Sequence, residues 1–488
     1  MTLQALAQAA LHRDPSRPAL EFERRWYGWG ELRQVADRIA ALLDASGAGA
    51  KATVALVARN RPAAIAALLG LIAKDRSIRM VYPFQSAAAL ARDLERIEPA
   101  VVIAHAEDLQ DEIRAVLGEG GVAAIALDAM NVVALPGLEH ARHAASPNDP
   151  APSRIEILTS GTTGAPKPFA VSFDLIAKHH IGDGPVPDLS QQTPTLLSFP
   201  LGNITGIYST LPPLLKGQRA ILLERFSVAG WHDYVLRFKP DATGMPPAGV
   251  QMVLDANIPR ADLACIKRFG TGAAPLDPRV HRAFEERYRL PILLSYGATE
   301  FGGPVTAMTL EMHAQWGASK FGSVGRALPG AKLRVIDPEN GDLLPAGKEG
   351  VLEVVSPRIG PEWIRTSDIA LIDEDGFVFH RGRADGAITR GGFKLLPETI
   401  ERVLMKHPAI AAAAVIGIAH GRLGQVPAAA IQIRPGVTAP GVAEIEAHVR
   451  QHLPATHVPV HWRFVDELPR TPSLKVHRPG LADLFAGL

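Results

Sequence analysis

The sequence predicts an α/β protein. We expect a large N-terminal domain of parallel α/β sheets with a small β-rich subdomain, followed by a smaller, separate α+β domain. Three observations carry this reading. Short apolar runs alternate with helix-period segments over roughly the first hundred residues. Past Ala331 short strands divided by tight-turn dipeptides replace that rhythm. A glycine- and charge-rich stretch, GRADGAITRGG from Gly382, then precedes about one hundred residues with an apolar pattern of their own. The boundary is placed between 384 and 385, giving domains 1–384 and 385–488 with the β-rich subdomain at about 320–384.

Each element has its own signal. The start, MTLQALAQAALHRDPSRP, reads as a surface helix and not a signal peptide, because no basic stretch precedes a long apolar core. Leu32, Val35, Ile39, Leu42 and Leu43 mark one face of a helix that Gly47 stops. Val54 to Val57 is a buried strand, and Pro62 opens a helix because its fixed φ suits a first helical position. Ile78 to Tyr82 is a second strand, Ser86 caps a third helix, and Ala100 to Ala104 is a third strand. That order implies right-handed crossovers and a mostly parallel sheet. Ala145 to Arg154 (ASPNDPAPSR) is a connector. KLRVID, VLEVV and IALI are short strands, with turns at Asn340-Gly341 and Asp375-Gly376. PETIERVLMKHP is a helix with Ile400, Val403 and Leu404 inward, AAVIGIA and AAAIQI are strands, and a last helix lies near Val442 to Leu453.

Composition excludes several functions. Of 488 residues, 47% are hydrophobic and 21% charged, so a sizeable core can form. Lys and Arg number 51 against 50 Asp and Glu, a net charge of +1, which leaves no general basic field for nucleic acid. The longest apolar runs, Ala63 to Ala73 and Ala409 to Ala419, fall short of the roughly 20 residues of a membrane span. Integral membrane association is therefore not expected, and the cytoplasm is the default location. One cysteine, Cys265, cannot form an internal disulfide. No HExxH, CxxC or GxSxG pattern supports a protein-bound zinc or iron site or a serine hydrolase. Monomer and homodimer both remain open.

The most informative segment is LTSGTTGAPKP, Leu158 to Pro168. Gly161 and Gly164 let the backbone curl with its N–H groups inward, Thr159, Ser160, Thr162 and Thr163 add hydroxyl donors, and Lys167 adds a positive charge. Such a loop suits a di- or triphosphate, although its spacing is not that of the common NTPase P-loop. In SYGATE, Ser295 to Glu300, Gly297 permits a sharp turn, Tyr296 offers a flat face for a base, and Thr299 and Glu300 present oxygens to a hard cation such as Mg²⁺. Asp368 precedes IALI and can accept two hydrogen bonds from paired hydroxyls, while Arg383 brings a planar donor fork.

These segments resemble the adenylate-forming superfamily of acyl- and aryl-CoA synthetases, peptide-synthetase adenylation domains and beetle luciferases. GTGAAPL (Gly270 to Leu276), SYGATE, RTSDIA (Arg365 to Ala370), GRADGAITRGG (Gly382 to Gly392) and PRTPSLK (Pro469 to Lys475) follow the loop in that family's order. The resemblance implies Tyr296 against adenine, Thr299 near the α-phosphate, Glu300 on magnesium, Asp368 on the ribose, and Arg383 on ribose or phosphate. It implies that Gly270, Gly272, Ala273 and Ala274 line the adenine and acyl sites, with Asn203, Ala298 and Gly302 beside the acyl group and Gly391 and Gly392 toward CoA. Lys475 matches the lysine that stabilises charge during adenylation. Asp385 matches the hinge about which the C-terminal domain rotates.

Several positions depart from the family pattern. Pro168 replaces a glycine after the loop lysine, Ser367 stands in the usual Thr-Gly-Asp, Leu474 replaces the glycine before Lys475, and Asn203 stands where many relatives have histidine. Gly202 and Gly206 beside Asn203 suggest a wider acyl pocket, and with Gly302-Gly303 they favour a bulky aromatic, alicyclic or medium-to-long acid over acetate.

The reading is an ATP-dependent carboxylate–CoA ligase that forms an acyl-AMP from a small-molecule acid with ATP and Mg²⁺, then a thioester with coenzyme A. The chain closes soon after Lys475 without a carrier module, which favours a free thiol acceptor. Two alternatives are a stand-alone ligase loading a separate carrier protein and a non-catalytic nucleotide-binding relative. Intact Lys475, Glu300 and Asp368 argue against the latter.

Overall fold

A computed structural model describes residues 1–142, 151–159, 167–182, 184–390, 393–471 and 474–487. The chain forms two compact units, Met1–Pro240 and Asp241–Leu488.

In the first unit a seven-stranded sheet runs in the order Asn131–Ala134, Ala123–Asp128, Val101–His105, Val54–Val57, Ile78–Val81, Arg154–Thr159, Lys167–Ser172. The five inner strands are parallel and the two outer ones antiparallel to their neighbours. Because side chains alternate across a strand, Val54 and Leu56 join one apolar core while Ala55 and Val57 join the other. The first core is closed by the helices Leu3–Leu11, Trp29–Ala45 and Pro62–Ala73, the second by Ala87–Ile97 and Asp111–Glu119. Pro62 is the first residue of its helix, and the Ser86 hydroxyl caps Ala87–Ile97 by accepting from the Ala89 N–H. The apolar run at Ala63 is a helix enclosed on all sides, its residues Pro62 to Ile72 all buried. It lies so close to its neighbour that a Cβ at Gly70 would come within 2.8 Å of the Ala36 methyl.

A second sheet of this unit orders Thr195–Leu197, Ala220–Leu222, Pro18–Phe22 and Arg25–Gly28. The expected surface helix at the start is instead a core element, since Leu3, Leu6, Ala7, Ala10 and Leu11 are buried. Most of the Ala145–Arg154 connector lies outside the described residues, and Arg154 already belongs to a strand.

In the second unit Ala242–Gly244, Arg268–Gly272 and Ile292–Ala298 run parallel, and Gly303–Ala307 and Arg326–Ala327 extend the sheet antiparallel. The β-rich stretch is a four-stranded antiparallel sheet of Lys332–Ile336, Glu349–Val355, Ile364–Ile372 and Val378–Arg383. Its last hairpin turns at Asp375-Gly376. There Asp373 Oδ1 accepts from the N–H groups of Asp375 (3.0 Å) and Phe377 (2.9 Å), and Gly376 takes φ +78°. Residues from Ile388 onward carry apolar cores of their own. The long strands Ile410–His420 and Gly424–Ile433 pair antiparallel there, and helix Pro397–Leu404 buries Ile400, Val403 and Leu404. The apolar run at Ala409 is thus a strand. The α/β class expected from the sequence holds, with its β-rich subdomain and an α+β C-terminal part.

Candidate active site

Strand Ile292–Ala298 ends at the SYGATE segment, so Tyr296 stands at the carboxyl end of a parallel strand, where open α/β sheets bind ligands. Thr299 and Glu300 occupy the single turn Thr299–Phe301 that follows. Only glycine fits at 297, because a Cβ there would lie 2.4 Å from Pro304 Cα and 2.5 Å from the Gly303 carbonyl oxygen. The neighbouring strand Arg268–Gly272 is followed by Ala273, whose φ of +66° is a left-handed conformation that favours glycine. Ala274 follows in the same bend. A Cβ at Gly270 would meet no described atom within 4 Å, and Gly302 takes φ +66°.

Asp368 was expected just before a strand. It lies inside the nine-residue strand Ile364–Ile372, only 6% exposed and directly across from Arg383 in the hairpin. The polar run Arg-Thr-Ser-Asp conceals this strand: Thr366, Ser367 and Asp368 bond to other polar groups, while Arg365 is exposed. The Tyr296 hydroxyl donates to Asp368 Oδ2. His380 Nε2 lies 3.2 Å from Oδ1, and Arg383 Nη1 lies 3.8 Å from the same oxygen. The Asp368 N–H donates to Thr366 Oγ1 at 2.9 Å. Burial by itself would raise the Asp368 carboxyl, but His380, Tyr296 and Arg383 outweigh it and hold the group below the usual carboxylate range. Burial and the Asp368 charge push the Tyr296 phenol up, so it remains a donor.

Arg383 is the hub of the charges. Its Nε and Nη2 donate to the two oxygens of Asp385 at 2.9 and 2.6 Å, and Nη2 also donates to Ser367 Oγ at 2.6 Å. These partners keep the guanidinium charged despite its burial, the Asp385 bonds foremost. Asp385 itself sits in the single turn Ala384–Gly386 between the strands Val378–Arg383 and Ile388–Arg390.

Lys475 follows Leu474, whose φ of +61° is left-handed. The turn is closed by Thr471 N–H donating to the Lys475 carbonyl at 2.7 Å and by Lys475 N–H donating to Thr471 Oγ1 at 3.2 Å. Although the side chain is solvent-accessible, surrounding protein atoms and the Arg383 charge lower its affinity for a proton, with Glu300 acting in the opposite sense. Tyr296, Glu300, Asp368, Arg383 and Lys475, far apart in sequence, therefore act on one another electrostatically.

In the first unit Asn203 caps helix Ile204–Leu215, its Oδ1 accepting from Gly206 N–H at 2.8 Å. Gly206 is required because a Cβ would sit 1.9 Å from the Pro200 carbonyl oxygen, and Gly202 packs on Tyr82. Close backbone packing explains Gly206, which removes it as evidence for a wide acyl pocket. Strands Arg154–Thr159 and Lys167–Ser172 pair so that Thr159 and Lys167 face each other at the base of the predicted phosphate loop. Pro168 lies on the outermost strand, where a missing N–H is tolerated. Ser160, Gly161, Thr162, Thr163, Gly164, Gly391 and Gly392, and the side chains of Thr159 and Lys167, lie outside the described residues.

His380 and the Ser367 hydroxyl were missed from sequence. The signal for His380 was the Asp375-Gly376 turn, since the hairpin pairs His380 with Ala370, diagonal to Asp368.

Among the described residues no three His, Cys, Asp or Glu side chains gather to hold a metal ion, and no helix is long and apolar enough to cross a membrane.

A model of AMP-binding enzymes matches residues 7–362, and a model of the AMP-binding enzyme C-terminal domain matches residues 399–475. The chain belongs to the AMP-binding enzyme family. Sulfoacetate–CoA ligase of Cupriavidus necator is 28% identical, with 98% of this chain and 96% of the relative covered. Indoleacetate–CoA ligase of Aromatoleum aromaticum is also 28% identical, with 97% and 96% covered. Among solved structures, ATP-bound MatB from Rhodopseudomonas palustris superposes with a TM-score of 0.80 at 24% identity, covering 100% of this AMP-binding enzyme and 99% of that chain, a likeness of fold.

Proposed function

We propose that this enzyme is an ATP-dependent carboxylate–CoA ligase working through an acyl-AMP. The observation that carries the reading is the gathering of Tyr296, Glu300, Asp368, Arg383 and Lys475 into one electrostatically coupled group. Full-length CoA ligases among its relatives support the choice of thiol.

In the first step the oxygen of a carboxylate attacks the α-phosphorus of Mg·ATP, and the bond to the bridging oxygen of pyrophosphate breaks. Tyr296 bounds the adenine, Asp368 and Arg383 hold the ribose, and Thr299 donates toward the α-phosphate. Glu300 would offer a carboxylate oxygen to the magnesium that accompanies the nucleotide. The loop Thr159 to Lys167, with Ser160, Gly161, Thr162, Thr163 and Gly164, holds the outgoing phosphates. Lys475 neutralises charge spread over the carboxylate and the α-phosphate. In the second step domain 385–488 turns about Asp385, and a thiolate of coenzyme A near Gly391 and Gly392 attacks the acyl carbon, releasing AMP. Asn203, Gly270, Ala298 and Gly302 border the acyl group, with Gly272, Ala273 and Ala274 between it and the adenine. The two relatives act on acids as different as sulfoacetate and indoleacetate, so the acid is to be found by trial.

Purified protein incubated with ATP, magnesium, CoA and a panel of carboxylates should release pyrophosphate with at least one acid and yield its acyl-CoA by mass spectrometry. Acyl-AMP that accumulates without thioester, and is consumed only by a phosphopantetheinyl carrier protein, would assign the carrier-loading alternative. Absence of pyrophosphate with every acid would overturn the ligase reading.

A further inference from the structure

We infer that His380 is a positioning residue for nucleotide binding: it fixes the plane of the Asp368 carboxylate so that both oxygens meet the two ribose hydroxyls. The inference rests on the proposed role of Asp368 and adds a group that neither the motifs nor that role includes.

The geometry is specific. Asp368 sits inside a strand with its carboxylate anchored on both oxygens from two different directions. Tyr296, at the end of Ile292–Ala298, donates to Oδ2, while His380, on the partner strand Val378–Arg383, lies 3.2 Å from Oδ1. With a proton on Nε2 the imidazole donates to that oxygen, and this holds for the neutral ring in that tautomer and for the imidazolium. The terminal torsion of an aspartate is soft, so one anchor leaves the carboxylate free to swing. Two anchors on separate oxygens fix its plane. A carboxylate offers about four lone-pair sites, so one protein donor on each oxygen leaves about one site per oxygen for an incoming diol.

The rest of the surroundings agree with this division of labour. Arg383 Nη1, at 3.8 Å, is too far to occupy Oδ1 as a hydrogen-bond donor, and its Nε and Nη2 are already held by Asp385 and Ser367. The His380 and Tyr296 rings lie 5.7 Å apart and only 31° from parallel, so the two anchors brace each other. With Asp368 itself 6% exposed, water cannot replace a missing donor freely.

The test uses the full-length protein with magnesium, titrating ATP and 2′,3′-dideoxy-ATP by calorimetry. Wild type should bind ATP more tightly than the dideoxy nucleotide, and Asp368→Asn should remove most of that preference. His380→Phe keeps a ring against Tyr296 and removes the donor. It should weaken ATP binding roughly tenfold, the scale of one hydrogen bond to a charged group, while dideoxy-ATP affinity stays within about twofold. His380→Gln, whose amide can donate to the same oxygen, should recover most of the loss. His380→Met repeats the comparison if the phenylalanine variant does not fold. Equal weakening of both nucleotides, or no weakening of either, overturns the inference while a ribose preference lost only in Asp368→Asn leaves the Asp368 role standing. A wild type indifferent to the missing hydroxyls overturns both.

Discussion

At the scale of single residues, Lys475 is held by a turn that a leucine enters in the left-handed region, which favours glycine. That conformation costs an L-residue roughly 1–2 kcal/mol, and the turn's two hydrogen bonds with Thr471, one to its backbone and one to its hydroxyl, offset it. The amine emerges beside Arg383 and Glu300, where its proton affinity is lowered. Removing one such positive group from developing charge costs on the order of 10²–10³ in rate, so Lys475→Ala should slow acyl-AMP formation by that factor. Supplied with pre-made acyl-AMP, the same variant should form acyl-CoA at near wild-type rate; equal loss in both assays counts against the assignment. The motif residues were legible because their chemistry is written in the side chain. Ser367 was read only as a departure from glycine, since its bond to Arg383 requires knowing that residues 367 and 383 share a hairpin.

Two predictions belong to single elements. Asn203 caps helix Ile204–Leu215, so Asn203→Ala should lower stability by about 1 kcal/mol in urea unfolding, and Asn203→Asp should restore most of it. Retained stability in the alanine variant would leave the residue to an acyl-site role alone. In helix Pro397–Leu404, Glu401 Oε1 accepts from Val415 N–H at 2.8 Å on strand Ile410–His420. Burial, reinforced by Glu398, pushes its carboxyl up to about 7 from the ordinary 4.5, against the Val415 bond, Arg478 and Arg402. Between these values the folded protein keeps a proton that the unfolded chain has released, so stability falls as pH rises from about 4.5 to about 7 and stays lower above. Glu401→Gln keeps the acceptor and cannot ionise. It should match wild type at pH 4 and exceed it at pH 8 by roughly 3 kcal/mol, at about 1.4 kcal/mol for each pKa unit between 4.5 and about 7. Identical pH profiles would refute this. Elements with strong periodicity, such as Trp29–Ala45 and Val54–Val57, were visible in sequence. The strands Pro18–Phe22, Arg25–Gly28 and His461–Val465 were not, because each is short, polar residues interrupt its apolar ones, and parallel partners from other parts of the chain complete two of them.

At the scale of the molecule, the proposed rotation at Asp385 meets an ion pair, since Asp385 binds Arg383 through both oxygens. Asp385→Ala frees Arg383 and leaves the backbone supple, whereas Asp385→Pro does the first and also fixes φ. Both should weaken adenylation modestly. Only the proline variant should slow thioester formation from supplied acyl-AMP, by about tenfold if rotation costs it one further 1.4 kcal/mol. The same thioester rate in both variants would place the hinge elsewhere. The α/β class, the β-rich stretch and the α+β C-terminal part were legible because each has its own pattern of turns and apolar runs. The division of the chain at Pro240 was not, because no change of composition marks it.

The pairing of Pro18–Phe22 with Ala220–Leu222 also has a consequence for biosynthesis. The three helices packed around Ala36 and Gly70 lie within the first 73 residues, so their contacts with one another need no later part of the chain. The hairpin Pro18–Gly28 must wait for a partner about two hundred residues downstream, on the order of ten to forty seconds at ordinary elongation rates. During that interval one side of the hairpin is a bare strand edge, and Glu21, 2% exposed in the finished fold, lacks the Arg237 that later grips it at 2.6 and 2.7 Å. Translation that stalls before Ala220 therefore leaves a chain with an incomplete core and an adhesive edge, one that needs a chaperone more than the completed protein does.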